Sequence, residues 1–357
     1  MDLHLDFPVW VGPYVMGETP FMVAVGKVYP SANEMNVDPI ELVQFHTLRI
    51  NQLNHFREKA RDIRTIIGLY HGKDKALFKK QVEAFLGTKE GDSLALQDVN
   101  ATLYKFLSFV FLPFLHHGEI TGFVNEFTEF MMQLAGARNA AFNEFVSHLD
   151  DTKFLKNIQR DCLALYPKIY DAELPLRPAL FLDFVHGYER NKIAARVSNE
   201  EFGTYKDLYK DLAEVFGRQL ILVAGINNLV GRGHHDSFAK PEHGNPLSSL
   251  DKFADKTLTD KFKYLDECWY KVDKEVIDTS VRNAIAHYTA RYDEVSQVIT
   301  YFPEKEGVRQ ERGEQMYFLD FMRMILQLFR EVHYLHHVIK ALFFYEYLVL
   351  GKKEEGA

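Results

Sequence analysis

Apolar residues recur at helical spacing along most of the chain, beginning close to residue 38. Asp38 is a favourable N-cap residue and Pro39 suits the first helical position, so a long helix is predicted to begin there. Its apolar positions continue through Leu53 to Ile66, and Gly72 is predicted to end it. The main part of the chain is therefore expected to start with a helix.

The same spacing predicts further helices at residues 73–86, 93–116, 121–134, 137–149 and 152–165, with Gly87 as a stop and a bend at Pro113. Short connections between helices are typical of a bundle. Residues 166–180 contain Pro167, Pro175 and Pro178 and are predicted to interrupt the helices. A polar stretch follows, and the domain boundary is expected near residue 197.

A second helical domain is predicted after residue 197. Ser198 and Glu201 have the spacing of a capping box and precede an apolar-periodic run to Val230. Further helices are predicted at residues 250–270, 273–288 and 320–350. Between the last two, residues 297–302 and 315–319 are rich in β-branched and aromatic side chains, and they are predicted to pair as a β-hairpin.

Residues 1–37 differ from the rest of the chain. Short runs of β-branched and aromatic residues at 9–11 and 21–29 are punctuated by glycine and proline. We therefore expect a small strand-bearing segment before the first helix. The sequence predicts a mostly α protein with two helical domains, residues 1–197 and 198–357.

Composition supports a folded protein without general affinity for nucleic acid. The chain has 357 residues, 47% of them hydrophobic, which is enough for a sizeable core and favours two domains over one. The formal net charge is −8, and the isoelectric point is near 6.0. Such a charge excludes the positive field of a protein that coats nucleic acids. Any contact with RNA is therefore expected to be local.

Cysteine usage and hydropathy indicate a cytoplasmic protein without a membrane span. Cys162 and Cys268 are the two cysteines of the sequence, and their separation excludes a disulfide scaffold or a zinc ribbon. The first six residues show no basic start of a secretory signal. The most apolar runs, residues 106–115 and 341–350, are shorter than the roughly 20 residues that cross a bilayer.

One group of polar residues stands out near the end of the helix predicted at residues 273–288. Arg282, Asn283 and His287 lie in the run Val-Arg-Asn-Ala-Ile-Ala-His-Tyr that begins at residue 281. A histidine with a pKa near ~6.5 exchanges protons at neutral pH, and an arginine forms charge-assisted hydrogen bonds to phosphate oxygens. The pair therefore suits phosphodiester transfer without a metal, and an RNA substrate would supply its own 2′-OH as the nucleophile.

This run resembles the signature of the HEPN superfamily, which has an Arg, a polar residue that is often Asn, and a His four to six positions after the Arg. The order of a long helix, the motif, a hairpin and a final long helix resembles a HEPN domain as well. The resemblance covers about residues 198–350. It implies a C-terminal four-helix bundle with an inserted β-hairpin, whereas the role of residues 1–197, sensing or regulatory, is not identified.

The resemblance also implies an activity, that of a metal-independent endoribonuclease that leaves a 2′,3′-cyclic phosphate. Arg282 would stabilise the charge that develops on the phosphate, His287 would act as base or acid, and Asn283 would hold the phosphate or a dimer contact. No metal and no cofactor are expected. The implied role is that of a toxin or an antiphage (abortive-infection) effector, for which an antitoxin or another regulatory partner is expected.

Helical spacing makes a single copy of the motif incomplete. Arg282 and His287 are five residues apart, which separates them by about 140° around an α-helix. HEPN relatives build a composite site from two copies, so the resemblance implies a homodimer or an internal pseudo-dimer. No second good motif is found in the sequence, so a homodimer is preferred. Asp278, four residues before Arg282, would orient the guanidinium. In one HEPN branch a Tyr two residues after the His is nucleotidylated; here Tyr288 comes one residue too early, and this control is not expected.

Two other interpretations of the motif stay open. Arg282 and His287 are also consistent with a surface arginine that pairs with Asp278 and a packed histidine at a helix end. The acidic net charge favours a non-catalytic HEPN adaptor, which would use the domain for dimerisation or for RNA binding.

One loop and one group of histidines have weaker functional interpretations. The polar loop at residues 231–236 is expected to be a flexible connection, with contact between Arg232 and RNA phosphates as the alternative. His333, His336 and His337 have a spacing that would present two imidazoles to a metal. No accompanying cysteine or His-Glu motif supports this, so a packing or interface role is favoured.

Overall fold

The computed structural model describes residues 38–116, 119–184, 202–242, 244–266, 269–272, 277, 279–286, 290–294, 296–302 and 313–352. The strand-bearing segment predicted at residues 1–37, the capping box at Ser198 and the domain boundary near residue 197 lie outside these residues and stay predictions. The mostly helical character is confirmed within the described residues.

Thirteen α-helices and a three-stranded sheet make up the described part of the chain. In order, these elements are α1 (Pro39–Glu58), α2 (Ala60–His71), α3 (Lys75–Leu86), α4 (Leu96–Phe111), α5 (Glu119–Ala137), α6 (Asn139–Asp151), α7 (Phe154–Asp171), α8 (Glu173–Phe181), α9 (Phe202–Arg232), α10 (Leu250–Ala254), α11 (Leu258–Lys261), α12 (Thr279–Ala286), β1 (Ala290–Asp293), β2 (Val298–Tyr301), β3 (Glu314–Tyr317) and α13 (Phe318–Leu348). None of these helices is both long and apolar enough to cross a membrane.

The chain divides into two compact units, each assembled from three segments. The first unit contains Met1–Ala60, Pro167–Ala213 and Lys274–Phe329. The second unit contains Arg61–Tyr166, Glu214–Asp273 and Arg330–Ala357. The helices α7, α9 and α13 contribute residues to both units. Each unit therefore combines residues that are distant in sequence.

The predicted start of the first helix is confirmed, and its length is corrected. The Asp38 carboxylate accepts a hydrogen bond from the Ile40 N–H at 2.9 Å. The single helix predicted to reach Gly72 is two helices, α1 and α2, separated at Lys59. Gly87 ends α3 with a φ of 68°, a left-handed conformation that glycine adopts without strain.

The predicted break at three prolines is wrong. The helix α7 continues through Pro167, and α8 contains Pro175 and Pro178. Pro175 is the third residue of α8, where the backbone N–H of any residue has no partner within the helix. Nearly all of α8 is buried, and it carries a buried ion pair between Arg177 and Glu173. Tertiary packing therefore outweighs the unfavourable position of Pro178.

The helix predicted at residues 250–270 is replaced by two short helices and a 3₁₀ turn, Phe262–Tyr264. The Ser249 hydroxyl accepts a hydrogen bond from the Lys252 N–H at 3.3 Å and so begins α10. The Thr257 hydroxyl accepts from the Asp260 N–H at 3.2 Å and begins α11. Because each hydroxyl caps the N-terminus of a separate helix, the apolar residues of this segment do not form one continuous helix.

The predicted hairpin is confirmed and has a third strand. The strands β2 and β3 pair antiparallel, with Tyr301 opposite Glu314, and the Tyr301 hydroxyl donates to the Glu314 carboxylate at 2.7 Å. The strand β1, which was not predicted, pairs antiparallel with the other edge of β2. A Cβ at Gly313 would lie 2.8 Å from Thr300 Cγ2, so this close approach requires a glycine.

An aromatic cluster holds the sheet against the first residues of α9 and α13 in the first unit. The Tyr292 ring of β1 stacks on Phe202 of α9 with 5.4 Å between centroids, and it lies 5.3 Å from the Phe318 ring of α13. Phe202 also contacts Phe321 at 5.4 Å. Aromatic pairs at such distances stabilise a fold beyond their buried area. The sheet therefore has a fixed position within this unit.

Close helix packing organises the second unit. A Cβ at Gly225 of α9 would lie 2.5 Å from the Phe145 ring of α6, so the glycine permits close approach of the two helices. The Gln219 amide of α9 donates to the Val332 carbonyl of α13 at 2.9 Å. These contacts join segments of α6, α9 and α13 within the second unit.

Candidate active site

The helix α12 has a buried face in the first unit. Val281, Ala284 and Ile285 have only 1%, 1% and 3% of their surface exposed. Their spacing of three and four residues places them on one side of a helix. The helix contacts the strands β1 and β2. Its position is therefore fixed by packing on this side.

Arg282 and Asn283 lie outside the buried face, and each is partly exposed. Arg282 Nη1 donates to Asn283 Oδ1 over 3.4 Å, which is long for a hydrogen bond and makes the contact weak. A guanidinium and an amide stand side by side here, and both groups can donate hydrogen bonds to phosphate oxygens. The structure thus brings together two of the three motif residues.

The third motif residue, His287, lies outside the described residues, as do Asp278 and Tyr288. The orienting ion pair between Asp278 and Arg282 stays a prediction. The same holds for the proton transfer by His287.

The backbone after α12 forms a hydrogen bond with the start of α13. The helix α12 ends at Ala286, and β1 begins at Ala290. Gln297 lies between β1 and β2 with a φ of 52°, and its carbonyl accepts a hydrogen bond from the Phe318 N–H at 2.9 Å. The turn between the two strands that follow the motif is therefore hydrogen-bonded to the first residue of α13.

Arg232 is the last residue of α9 and belongs to the second unit. Its guanidinium donates to the Asn228 side chain, to the Asp266 carboxylate and to the Ser237 carbonyl. These bonds connect the end of α9 to Ser237 and Asp266, so the loop expected to be a flexible connection is hydrogen-bonded in the structure. A contact between Arg232 and RNA phosphates stays a prediction, and it would have to share or replace these bonds.

His333, His336 and His337 form a buried histidine trio in the second unit, with 1%, 1% and 5% exposed. The Tyr166 hydroxyl lies 2.7 Å from His333 Nδ1 and 2.9 Å from His336 Nδ1. Burial lowers the pKa of His333 to about 3 and the pKa values of His336 and His337 well below the usual range. The trio is therefore neutral at pH 7 and lies packed in the interior of the second unit.

One group of side chains in the second unit has the donor types of a metal site, and it was not predicted. Glu144 of α6 and His234 and His235 after α9 each offer a donor atom within 4.8 Å of the others. Among the residues that the structure describes, it is the only such group of three or more His, Cys, Asp or Glu. Glu144 and His234 are 90 residues apart in sequence. No local spacing could therefore have indicated them.

Comparisons with protein-family models, with curated proteins and with solved structures found no match to this chain. The HEPN interpretation therefore rests on the residues themselves, above all on Arg282, Asn283 and His287.

Proposed function

We propose that this chain is a metal-independent endoribonuclease of the HEPN superfamily, in which Arg282, Asn283 and His287 act on the substrate. The observation that supports this most is the position of Arg282 and Asn283 on the partly exposed side of α12, while Val281 and Ile285 anchor the helix. A cationic side chain on a fixed helix is suited to hold a phosphate in one place. The proposal includes a HEPN-like four-helix bundle within residues 198–357, with the sheet inserted in it.

The proposed reaction is an internal transesterification of the RNA backbone. The 2′-oxygen attacks the neighbouring phosphorus and forms a new P–O bond, while the bond to the 5′-oxygen breaks. One His287 imidazole takes the 2′ proton, and a protonated imidazole gives a proton to the departing 5′-oxygen. Arg282 stabilises the charge on the non-bridging oxygens. The products are a 2′,3′-cyclic phosphate and a 5′-hydroxyl.

The proposed site is shared by two chains of a homodimer. Arg282 and His287 are five residues apart, and a separation of about 140° on a helix keeps one copy from converging on a single phosphate. Two copies supply two imidazoles, one as the base and one as the acid. The cleavage rate is therefore expected to fall more steeply than the protein concentration when the protein is diluted to concentrations at which it is monomeric.

The formal net charge of −8 favours a second candidate function. A non-catalytic HEPN adaptor would use the same domain for dimerisation or for RNA capture, and it would need no turnover. RNA that is retained on a filter by a folded dimer, without any product on a denaturing gel, would support the adaptor over the enzyme.

The proposed biological role is that of a toxin or an abortive-infection effector against phage. A cytoplasmic setting is part of the proposal, because the two cysteines, Cys162 and Cys268, form no disulfide framework. Residues 1–197 would sense a trigger or restrain the C-terminal domain. An antitoxin or another regulatory partner would act through them.

A cleavage assay without metal tests the proposal. A 5′-labelled RNA is incubated with the full chain in excess EDTA, and the products are separated on a denaturing gel. We expect cleavage by the wild type and a loss of at least about 100-fold for both Arg282→Ala and His287→Ala. Losses of this size are typical when a charge-stabilising donor or a proton-transfer group is removed.

Arg61→Ala and His71→Ala are matched controls, because both residues are exposed and lie in the second unit. They should keep wild-type cleavage, and all four variants should keep the circular dichroism of the wild type. Cleavage that requires a divalent ion, or full activity in both motif variants, would contradict the proposal.

A further inference from the structure

Several hydrogen bonds hold the loop after α9 in the second unit. Gly233 ends the helix with a φ of 81°. The Asn228 amide donates to the His235 carbonyl at 2.6 Å, and the Leu250 N–H donates to the Asp236 carboxylate at 2.7 Å. The backbone at His235 is therefore fixed by hydrogen bonds to residues before and after it.

His235 is a buried histidine with an unsatisfied nitrogen. Its side chain is only 4% exposed, and among the described residues no group forms a hydrogen bond with Nδ1. Nε2 lies 3.7 Å from Asp236 Oδ2. When Nε2 carries the ring proton and faces Asp236, Nδ1 offers a lone pair. A buried polar atom without a partner is rare and calls for a water, an ion or another bound group.

His234 and Glu144 contact each other beside His235. His234 Nε2 lies 3.2 Å from Glu144 Oε1, and His234 Nδ1 accepts a hydrogen bond from the Asp236 N–H at 3.2 Å. The rings of His234 and His235 stack with 4.4 Å between centroids. Because Nδ1 accepts this hydrogen bond, Nε2 carries a ring proton and faces the Glu144 carboxylate. A metal at Nε2 would move this proton to Nδ1 and would end the bond to Asp236.

From these contacts we infer that Glu144, His234 and His235 bind one divalent transition ion of the zinc class. Two imidazole nitrogens and a carboxylate oxygen are the donor set of zinc sites that keep water in the fourth position. Donor atoms on a tetrahedral zinc ion stand about 3.3 Å apart, so separations of up to 4.8 Å have to close. Glu144 and His234 can make this movement, because their side chains are 59% and 42% exposed.

The bound ion would connect the loop after α9 to α6. His148 lies one turn after Glu144 on α6, and its ring stacks on His235 with 5.4 Å between centroids. This stacking keeps His235 in place while Glu144 and His234 close around the ion. The inference is independent of the proposed ribonuclease, because none of these residues belongs to the Arg282 motif.

Titration of the full chain with Zn²⁺ and Co²⁺ tests the inference. The protein is stripped with a chelator, the chelator is removed, and Zn²⁺ is added in competition with a chromophoric chelator. We expect one tight equivalent in the wild type, and Co²⁺ in its place should give the visible absorption of a tetrahedral site. Glu144→Gln and His234→Ala should weaken this equivalent by more than about 100-fold, because loss of an outer partner alone costs about 10- to 100-fold.

His71→Ala removes an exposed histidine elsewhere in the second unit and should bind Zn²⁺ like the wild type. Glu144 and His234 are exposed enough that their variants should fold, and thermal unfolding without metal checks this. Three results would overturn the site: no tight equivalent in the wild type, unchanged affinity in both ligand variants, or an equal loss in His71→Ala.

Discussion

Replacing His337 by glutamine should make the second unit less sensitive to acid. The pKa values of His333, His336 and His337 are lowered chiefly by burial, to about 3 for His333. A histidine in the unfolded chain has a pKa near ~6.5. Each of these residues therefore adds stability that is complete above pH ~6.5 and is lost as the pH falls towards the folded-state pKa.

The size of the effect follows from the protons that only the unfolded chain binds. Below pH ~6.5 each neutral buried histidine lowers the free energy of unfolding by about 1.4 kcal/mol per pH unit. At pH ~5.5 the trio then accounts for a loss of about 4 kcal/mol, and His337 alone for about 1.4 kcal/mol. Glu346 acts in the opposite sense, because burial and the neighbouring Asp150 raise its pKa to about 7. Its contribution is the same in the wild type and in the variant.

Urea unfolding at pH ~7.5 and ~5.5 measures the difference. Trp269 stacks on Phe130 in the second unit, so its fluorescence follows unfolding there. A Trp10→Phe background removes the other tryptophan. Between the two pH values, the free energy of unfolding of His337→Gln should fall by about 1.4 kcal/mol less than that of the wild type. The packing cost of the substitution applies at both pH values and cancels from this difference. An equal loss in both proteins would refute the reasoning, because His337 would then titrate alike in the folded and unfolded chains.

Two further predictions concern packing. Gly225→Ala should lower the free energy of unfolding by about 1–3 kcal/mol, because its Cβ would overlap the Phe145 ring. Gly136→Ala, whose Cβ meets no atom within 4 Å, should instead stabilise the protein by up to about 1 kcal/mol. If urea unfolding shows similar effects for the two glycine substitutions, the close approach of Gly225 to Phe145 is contradicted. Ile285→Ala should cost about 2–5 kcal/mol as a buried truncation. Asn283→Ala should cost less than about 1 kcal/mol, and a larger loss there in thermal unfolding would contradict the assignment of the buried face.

Helix ends could be predicted where the signal is local. Asp38 begins a helix and Gly87 ends one because a side-chain cap and a left-handed glycine each depend on a few neighbouring residues. The predicted break at the prolines is wrong for the opposite reason. Pro178 is tolerated inside α8 because distant parts of the chain bury that helix, and nothing near Pro178 in the sequence reveals this. The short strand β1 is not predictable from its own residues either, because Tyr292 packs on Phe202 and Phe318, which lie far away in sequence.

The candidate site shows the same division between local and distant information. The partial exposure of Arg282 and Asn283 follows from a helix whose Val281 and Ile285 are buried, and a pattern of consecutive residues carries this information. Glu144 and His235, in contrast, meet only through the packing of α6 against the loop after α9. A single sequence contains no spacing that would bring them together.

The most direct test of the proposed chemistry uses one RNA with and without a single 2′-deoxynucleotide at the position of cleavage. The 5′-labelled RNAs are incubated in EDTA with the wild type and with His287→Ala. We predict that the wild type cuts the all-ribose RNA, leaves a 2′,3′-cyclic phosphate, and no longer cuts at the deoxynucleotide, while His287→Ala cuts neither RNA. Equal cleavage of both RNAs by the wild type, or a wild-type rate with His287→Ala, would contradict attack by the 2′-OH at a site that contains Arg282 and His287.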